Sequence, residues 1–261
     1  MNIDLRGKRA MVCGGTQGIG KASAIELASL GASVTLVARN EDKLKIVLNE
    51  LSTSANQKHS YLVADFDNPE ELKKKLTSAV AEDVFHILIN NTGGPPAGKA
   101  IDANEDDFLK AFSAHLICGQ ILVQAVVPGM KKVNYGRIIN IISTSVKMPI
   151  KGLGVSNTIR GAVANWAKTL SVELAAFGIT VNNVLPGTTM TGRLEFVINA
   201  NAKRAGITYE VAKQKMIEEV PMGRISEPEE VAAAVAFLAS PAASYITGIN
   251  LPVDGGRTGS L

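Results

Sequence analysis

The sequence predicts one α/β domain, in which a parallel sheet of seven strands is covered by helices on both faces. Apolar β-branched runs alternate with amphipathic stretches along the chain, as in proteins whose parallel strands are joined by right-handed helical crossovers. The run Ile138–Ile142 is almost wholly apolar, as expected of a strand buried on both faces. A length of 261 residues and a hydrophobic content of 46% suit a single domain with a substantial core.

Strands are predicted where apolar β-branched residues concentrate. They are Ala10–Cys13, Ser33–Ala38, Ser60–Ala64, Ile87–Asn90, Arg137–Ile142, Thr180–Leu185 and Ile249–Val253. Amphipathic periodicity predicts helices at Lys21–Leu30, Glu41–Leu51, Glu70–Val80, Phe108–Met130, Val155–Ala176 and Pro228–Leu238. No repeat, low-complexity tract or linker composition divides the chain, so we expect one domain over residues 1–261.

One predicted connection is much longer than a turn. About forty residues separate the strand that ends at Leu185 from the helix that begins at Pro228, and connections of this length are usually functional or mobile. Thr208–Glu219 has a helical pattern and an apolar face. We therefore expect a lid at about residues 188–227.

Composition narrows the classes of partner. The net charge is only +3 and the Lys and Arg residues are spread out, which argues against a nucleic-acid surface. Cys13 and Cys118 are expected to be buried thiols rather than a disulfide or a metal pair. Residues 1–8 lack a signal-peptide core, and we expect no apolar run of membrane-spanning length. These features predict a cytoplasmic protein without a membrane or nucleic-acid partner.

The most informative motif is a glycine-rich turn between the first strand and the first helix, with the spacing Gly-x-x-x-Gly-x-Gly. Glycine lets the backbone bend tightly and approach a pyrophosphate, and the helix N-terminus then offers free N–H groups to the anion. The predicted phosphate-binding residues are Gly14, Thr16, Gln17, Gly18, Ile19 and Gly20.

The residues after the second strand favour NADP(H) over NAD(H). A site for the ribose 2′-hydroxyl of NAD normally places Asp or Glu here, whereas this chain has Ala38 followed by Arg39 and Asn40. The guanidinium fork of Arg39 matches a 2′-phosphate. The alternative is a solvated Arg that opens the next helix.

The residues that follow two further strands are candidates for binding the adenosine of the cofactor. Asp65, followed by Phe66, could accept from the adenine amino group or simply cap a turn. Asn91, Thr92 and Gly93 offer an amide and a glycine kink where the adenosine ribose would lie, although alone they read as an ordinary turn.

Taken together, these motifs resemble the short-chain dehydrogenase/reductase superfamily, and within it the 3-oxoacyl-acyl-carrier-protein reductase-like members, over nearly the whole chain. The residues that carry the resemblance are Gly14–Gly20, Asn90–Gly93, Gly136–Ser143, Pro186–Thr191, Val220–Ile225, Glu227–Val231, Ile246–Gly248 and Val253–Gly256. The resemblance implies a Rossmann-type doubly wound fold and a nicotinamide cofactor. By the same resemblance, Pro186, Gly187, Thr188, Thr189 and Thr191 hold the nicotinamide carboxamide and the diphosphate.

The resemblance breaks at the residues that carry the family's chemistry, which are Ser, Tyr, Lys and usually Asn. Ser143 matches the Ser, and His115 stands at the Asn position. Where Tyr and Lys are expected, this chain has Ser156 and Arg160. A different alignment does not restore the pair, since no Tyr occurs between Gly136 and Thr208.

This replacement changes the chemistry that the site can perform. Ser156 and Arg160 still share one helix face at i and i+4, but Arg stays protonated and Ser is a much poorer proton donor than Tyr. We expect an NADP(H)-dependent reductase of a small carbonyl substrate, in which Ser143 and Ser156 bind the carbonyl oxygen and Arg160 stabilises negative charge. Because the ordinary pKa of histidine falls in the working pH range, His115 is expected to donate a proton through water; alternatively, it is a packed core histidine.

Two other functions stay open. The chain could bind NADP(H) without turnover, as a sensor, a scaffold or a partner subunit. Non-redox chemistry is the third, because halohydrin dehalogenases resemble the family and have Arg in place of Lys; they keep the Tyr and lack the glycine turn. Residues 249–261 resemble a segment that packs between subunits in tetrameric members, so we expect a homo-oligomer, either a tetramer or a dimer.

Overall fold

The computed structural model describes residues 1–260, apart from the side chain of residue 82. Within that range seven strands form one parallel sheet in the order β3-β2-β1-β4-β5-β6-β7. The strands are β1 (Arg9–Cys13), β2 (Ser33–Ala38), β3 (Ser60–Val63), β4 (Ile87–Asn90), β5 (Gly136–Ile141), β6 (Ile179–Pro186) and β7 (Asn250–Val253). This confirms the predicted fold class, and each strand end lies within one residue of its predicted position.

Helices cover both faces of the sheet. They are α1 (Gly18–Ser29), α2 (Glu41–Glu50), α3 (Pro69–Glu82), α4 (Glu105–Phe112), α5 (Cys118–Lys132), α6 (Gly154–Leu174), α7 (Gly192–Ala205), α8 (Tyr209–Glu218) and α9 (Pro228–Ala239). On one face, α1, α2 and α9 bury residues such as Leu27, Leu44 and Val235 against the strands. On the other, α3, α5 and α6 do the same with residues such as Leu72 and Leu122. The core therefore consists of two apolar layers on either side of the sheet.

The predicted helix Phe108–Met130 is a longer rod that is interrupted once. A π-helical turn, Ser113–Ile117, joins α4 to α5, so the rod runs from Glu105 to Lys132. We expected no apolar run of membrane-spanning length, and this expectation is wrong for the rod. By length and composition alone, the rod is long and apolar enough to cross a membrane. Its α5 part packs against α3 and the strands β4 and β5, which accounts for its apolar residues within the fold.

The predicted lid contains two helices instead of one. Helix α8 was predicted, whereas α7 was missed because polar and apolar residues are mixed along it and only a narrow stripe is buried. Leu194, Ile198 and Ala202 of that stripe pack with residues of α8 and the following loop in a small cluster of their own. A bridge between Thr189 and Ser226 closes the base of the lid.

Candidate active site

The order of the strands creates a crevice between β1 and β4. The chain winds outward from β1 to β2 and β3 on one side, and from β4 towards β7 on the other. Loops that leave two such strands separate at their carboxyl ends, which is where open α/β sheets bind ligands. Here Asn91 spans the gap, since its Nδ2 donates to the carbonyl oxygen of Cys13 at 3.3 Å.

The glycine turn fits a diphosphate because its backbone leaves no room for side chains. Gly14 and Gly18 have φ angles of +61° and +52°, which favour glycine. A Cβ on Gly20 would lie 2.2 Å from the carbonyl oxygen of Gly14. Gln17, the N-cap residue of α1, forms no side-chain capping bond within the described residues. The first N–H groups of α1 therefore face the crevice without that partner.

Arg39 lies at the carboxyl end of the sheet, where it is accessible to a ligand. Its Nη1 is 3.6 Å from Asp67 and 3.9 Å from Asp65, and its side chain is 69% exposed. The predicted cofactor-site residue Asn40 also caps α2, since its side-chain oxygen accepts from the N–H of Lys43. Asp65 accepts from the N–H of Asp67, so it caps a turn as well as facing Arg39.

The threonines after β6 form the stem of the lid. The side chain of Thr191 caps α7. Its methyl group would lie 3.1 Å from a Cβ built on Gly18, so the stem of the lid lies against the glycine turn. Thr189 accepts from the hydroxyl of Ser226 at 2.9 Å. The Oγ1 of Thr188 is buried and has no hydrogen-bond partner among residues 1–260. Thr188 lines a second pocket beneath the lid rather than the cleft described next.

Beside the crevice lies a small cleft that opens to solvent. It is lined by Phe66, Asn90, Asn91, Thr92, Ala114, His115, Gly119, Leu122, Asn140, Ile141, Ile142, Arg160 and Val163. Of the four predicted catalytic residues, the structure brings Arg160 and His115 together in this lining. None of the four tyrosines of the chain is among these residues.

Arg160 places a buried positive charge at the end of the cleft. Its Nη1 donates to the carbonyl oxygen of Ile141 at 2.7 Å, which ties α6 to the end of β5. Its Nε is buried without a hydrogen-bond partner among the described residues. Burial, and then the charge of Arg193, lowers the pKa of Arg160 to about 10. The guanidinium therefore stays protonated at neutral pH, as predicted from its chemistry.

His115 lies in the π-helical turn, and the expectation that its pKa falls in the working range is wrong. Burial, followed by the charge of Arg160, lowers the pKa of the ring to about 2, and a hydrogen bond to the backbone of Gly93 only partly opposes this. The ring is therefore neutral at physiological pH. It can pass a proton between its two nitrogens, but it cannot serve as a charged proton store.

The two predicted serines lie near the cleft on different elements. Ser143 follows the cleft-lining Ile142, and its Oγ accepts from the N–H of Ser145 at 3.1 Å. This contact uses a lone pair of Ser143 and leaves its hydroxyl proton to donate. Ser156 is buried in the first turn of α6, one turn before Arg160.

A ladder of four asparagines crosses the sheet, and it was missed in the sequence. Asn90, Asn140, Asn183 and Asn250 lie side by side on β4 to β7, and each amide donates to the next at 2.8 Å. The side-chain oxygens of Asn140, Asn183 and Asn250 each accept from the preceding asparagine and so face the β4 side of the sheet, where Asn90 and Asn140 line the cleft. The Oδ1 of Asn90, at the end of the ladder, is buried without a partner within residues 1–260. The signal in the sequence is an Asn near the end of each of four apolar strands.

The chain is similar to known reductases over its whole length. A family model described as enoyl-(acyl carrier protein) reductase matches residues 14–258. The 3-oxoacyl-acyl-carrier-protein reductase FabG of Rickettsia prowazekii is 35% identical over 257 residues, which cover 97% of this chain and 98% of the relative. The NADPH-dependent reductase BacG of Bacillus subtilis is 29% identical over 256 residues, which cover 97% and 99%.

A solved structure shows the same arrangement of elements. It is L-sorbose reductase from Gluconobacter frateurii, complexed with NADPH and L-sorbose. The TM-score is 0.93, the identity is 28%, and the superposition covers 100% of both chains. The relatives named here are reductases, and two of them are named together with NADPH.

Proposed function

The chain belongs to the short-chain dehydrogenase/reductase family, and from this premise we propose that it is an NADP(H)-dependent reductase of a small carbonyl substrate with an altered proton-donor site. The observation that carries the proposal is the juxtaposition of two features. A glycine turn whose backbone suits a diphosphate lies beside a cleft that contains a buried, protonated arginine. The substrate is a 3-oxoacyl group or another small ketone.

The nucleotide half of the site binds and orients the cofactor, which supplies a hydride when bound. Gly14, Gly18 and the N-terminus of α1 bind the diphosphate. Arg39 pairs with the 2′-phosphate once it leaves Asp67, which favours NADP(H) over NAD(H). The buried hydroxyl of Thr188 and the stem of the lid position the nicotinamide.

The other half of the site handles the substrate oxygen. Ser143 and Ser156 donate hydrogen bonds to the carbonyl, and the charge of Arg160 stabilises the negative charge that develops on its oxygen. The hydroxyl of Ser156 passes a proton to that oxygen. A chain of waters that reaches bulk solvent restores the proton of Ser156, and the neutral ring of His115 holds one of these waters by accepting on the nitrogen that does not bond to Gly93.

Steady turnover is the test of this proposal. The purified protein is mixed with NADPH and, in turn, with 3-oxoacyl thioesters and small diketones, and both NADPH oxidation and the alcohol product are measured. We expect formation of one alcohol for each NADPH consumed. Tight NADPH binding without turnover of any carbonyl would contradict the reductase.

A second candidate function is nucleotide binding without turnover, in a sensor or a partner subunit. It is favoured by the chemistry of the cleft, because no tyrosine is among its lining residues and His115 is neutral. The two candidates differ in one measurement. A nucleotide-binding protein of this kind leaves NADPH unoxidised, while the reductase consumes it.

The homo-oligomer remains a prediction, and the surface of the long helical rod supports it. Leu109, Phe112 and Ile117 of this rod are exposed large apolar residues, and Val172 of α6 is 73% exposed. Light scattering of the purified protein measures its mass in solution. We expect the mass of a dimer or a tetramer, and a monomer would contradict the prediction.

A further inference from the structure

We propose that the cleft binds a carboxylate of the substrate between the guanidinium groups of Arg160 and Arg193. This inference rests on the proposed reductase function and goes further by naming the substrate class, which is a small carbonyl compound that carries a carboxylate. Three observations support it: an unsatisfied buried arginine, a second arginine held against the loop after β4, and the absence of acidic partners for both among the described side chains.

The first observation is the state of Arg160. It is one of the few charged residues that are buried, with 9% of its surface exposed. A carbonyl oxygen satisfies one of its nitrogens, while the Nε remains buried and without a partner among the described residues. Buried charges in proteins are normally paired or fully hydrogen-bonded, so the Nε indicates an anionic or strongly accepting ligand at this end of the cleft.

The second observation is the position of Arg193 in the first turn of α7. Its Nη2 donates to the carbonyl oxygen of Pro95 at 2.6 Å, and its Nε would lie 3.6 Å from a Cβ on Gly94. The lid helix therefore places this guanidinium against the loop that follows β4. The same loop contains Gly93, whose backbone bonds to the ring of His115. Arg193 therefore lies against the loop that directly follows the cleft-lining residues Asn91 and Thr92, and it is close enough to Arg160 for its charge to lower the pKa of that group.

The third observation is the missing counter-charge. Among the described side chains, no Asp or Glu comes within 4.0 Å of the guanidinium of Arg160 or Arg193. Buried Arg137 also lacks a carboxylate partner within that set, but it donates to three backbone carbonyl oxygens, whereas one such bond is present at Arg160. The charge of Arg193 also lowers the pKa of Arg160, so the two cations repel each other. An anion between them would remove this repulsion.

The shape of the cleft selects a carboxylate on a small molecule. Apart from Arg160 its lining carries no charged side chain and mixes apolar groups with neutral polar ones, which suits a compact ligand with a single charged group. A guanidinium fork matches the planar carboxylate in two parallel hydrogen bonds. The diphosphate of the cofactor has its own site at the glycine turn. Because the lid stem touches that turn at Gly18, the experiment has to separate the two anions.

The experiment compares 2-, 3- and 4-oxo acids with their methyl esters. Binding is measured by calorimetry on the protein saturated with NADP⁺, which occupies the nucleotide site without reducing the probe. The variants are Arg193→Gln and Arg193→Lys, and the control is Lys203→Gln, which removes the same charge from an exposed position of α7. The affinity of each variant for NADP⁺ is measured first.

We expect the wild-type protein to bind at least one acid about 10- to 100-fold more tightly than its ester, as for charge-assisted hydrogen bonds. Arg193→Gln should abolish most of this preference, Arg193→Lys should retain part of it, and Lys203→Gln should keep all of it. The affinity for NADP⁺ should be the same in all four proteins.

Two results would overturn the inference. Equal affinity for every acid and its ester would show that the cleft does not select an anion. A loss of NADP⁺ affinity in Arg193→Gln, with the acid preference intact, would assign Arg193 to the diphosphate. Failure of the wild-type protein to bind NADP⁺ would contradict the proposed function instead, and the acid and ester would then be compared on the nucleotide-free protein.

Discussion

The two halves of the site differ in how the chain specifies them. At the glycine turn, the backbone itself is the binding surface, and steric limits at Gly14, Gly18 and Gly20 determine which residues are possible. In the cleft, side chains determine the chemistry, and Arg160 and Asn90 keep buried polar atoms without partners within the described residues. The shape of the first half is set by its backbone. The second is electrostatically incomplete, which indicates that its ligand carries the missing charge and hydrogen bonds.

The largest effect is expected at the glycine turn, from Gly20→Ala. The new Cβ would lie 2.2 Å from the carbonyl oxygen of Gly14, so the turn would have to move away from the diphosphate. We expect the affinity for NADPH, measured by fluorescence titration, to fall about 100-fold or more, a free-energy change of about 3 kcal/mol.

The control for this variant is Gly161→Ala, in helix α6. A Cβ on Gly161 would meet nothing within 4 Å, so NADPH affinity should not change. Helix propensity alone should raise the free energy of unfolding by about 0.5–1 kcal/mol. Equal NADPH affinities for the two variants would show that steric room at the turn does not govern binding.

The asparagine ladder connects the cleft to the core, and Asn183→Ala breaks it in the middle. Asn140 then loses its acceptor and Asn250 loses its donor, both in a buried sheet. We expect the free energy of unfolding in urea to fall by about 3 kcal/mol. Asn199→Ala removes one amide contact from the exposed lid helix and should cost less than about 0.5 kcal/mol. Similar losses in both variants would contradict a cooperative ladder.

The neutral ring of His115 predicts how stability depends on pH. Its pKa is about 6.5 in the unfolded chain and about 2 in the folded protein, so below pH 6.5 the unfolded state binds the additional proton. Stability therefore falls as the pH decreases through this window, by about 1 kcal/mol per pH unit from this group.

The variant His115→Asn tests this dependence by removing the titrating ring. Its free energy of unfolding should fall less steeply than that of the wild type on the acid side of pH 6.5, and the two curves should run parallel above it. The measurement is urea unfolding across the pH range. Parallel curves throughout would show that the buried ring is not what makes the protein acid-sensitive.

The smallest effect is expected at Arg39, on the exposed rim of the nucleotide half. Arg39→Gln should weaken NADPH binding about tenfold and leave NADH binding unchanged, because only NADPH carries the 2′-phosphate. Asp67→Asn removes a competitor for the guanidinium and should change NADPH affinity in the opposite direction. An equal loss of affinity for both nucleotides in Arg39→Gln would remove Arg39 from the determinants of specificity.

Most of the sheet and the nucleotide half were predictable from the sequence. Strands buried on both faces need continuous apolar runs, and such runs place β4 and β5 with little ambiguity. The glycine turn was predictable because glycine is the residue that its φ angles favour. Helix α7 could not be predicted in this way, because its narrow apolar stripe packs against α8 instead of the main core.

The cleft was harder to predict because its properties depend on tertiary contacts. Arg160 and His115 were identified, but the pKa of His115 depends on burial and on the charge of Arg160, which no local pattern contains. The asparagine ladder requires the register of four strands. The fold of the lid places Arg193 against Pro95, which is distant from it in the chain and follows the cleft-lining residues of the same loop.

The most direct test of nucleotide binding at the β1/β4 crevice uses the single tryptophan of the chain. Trp166 lies beside Gly119, which lines the cleft, so it is placed to transfer excitation energy to a nicotinamide bound there. We expect NADPH to quench Trp166 and to show sensitised emission that saturates, and Gly20→Ala to shift this titration to much higher concentration. Absence of sensitised emission, or the same titration in Gly20→Ala, would contradict a nucleotide bound at this crevice.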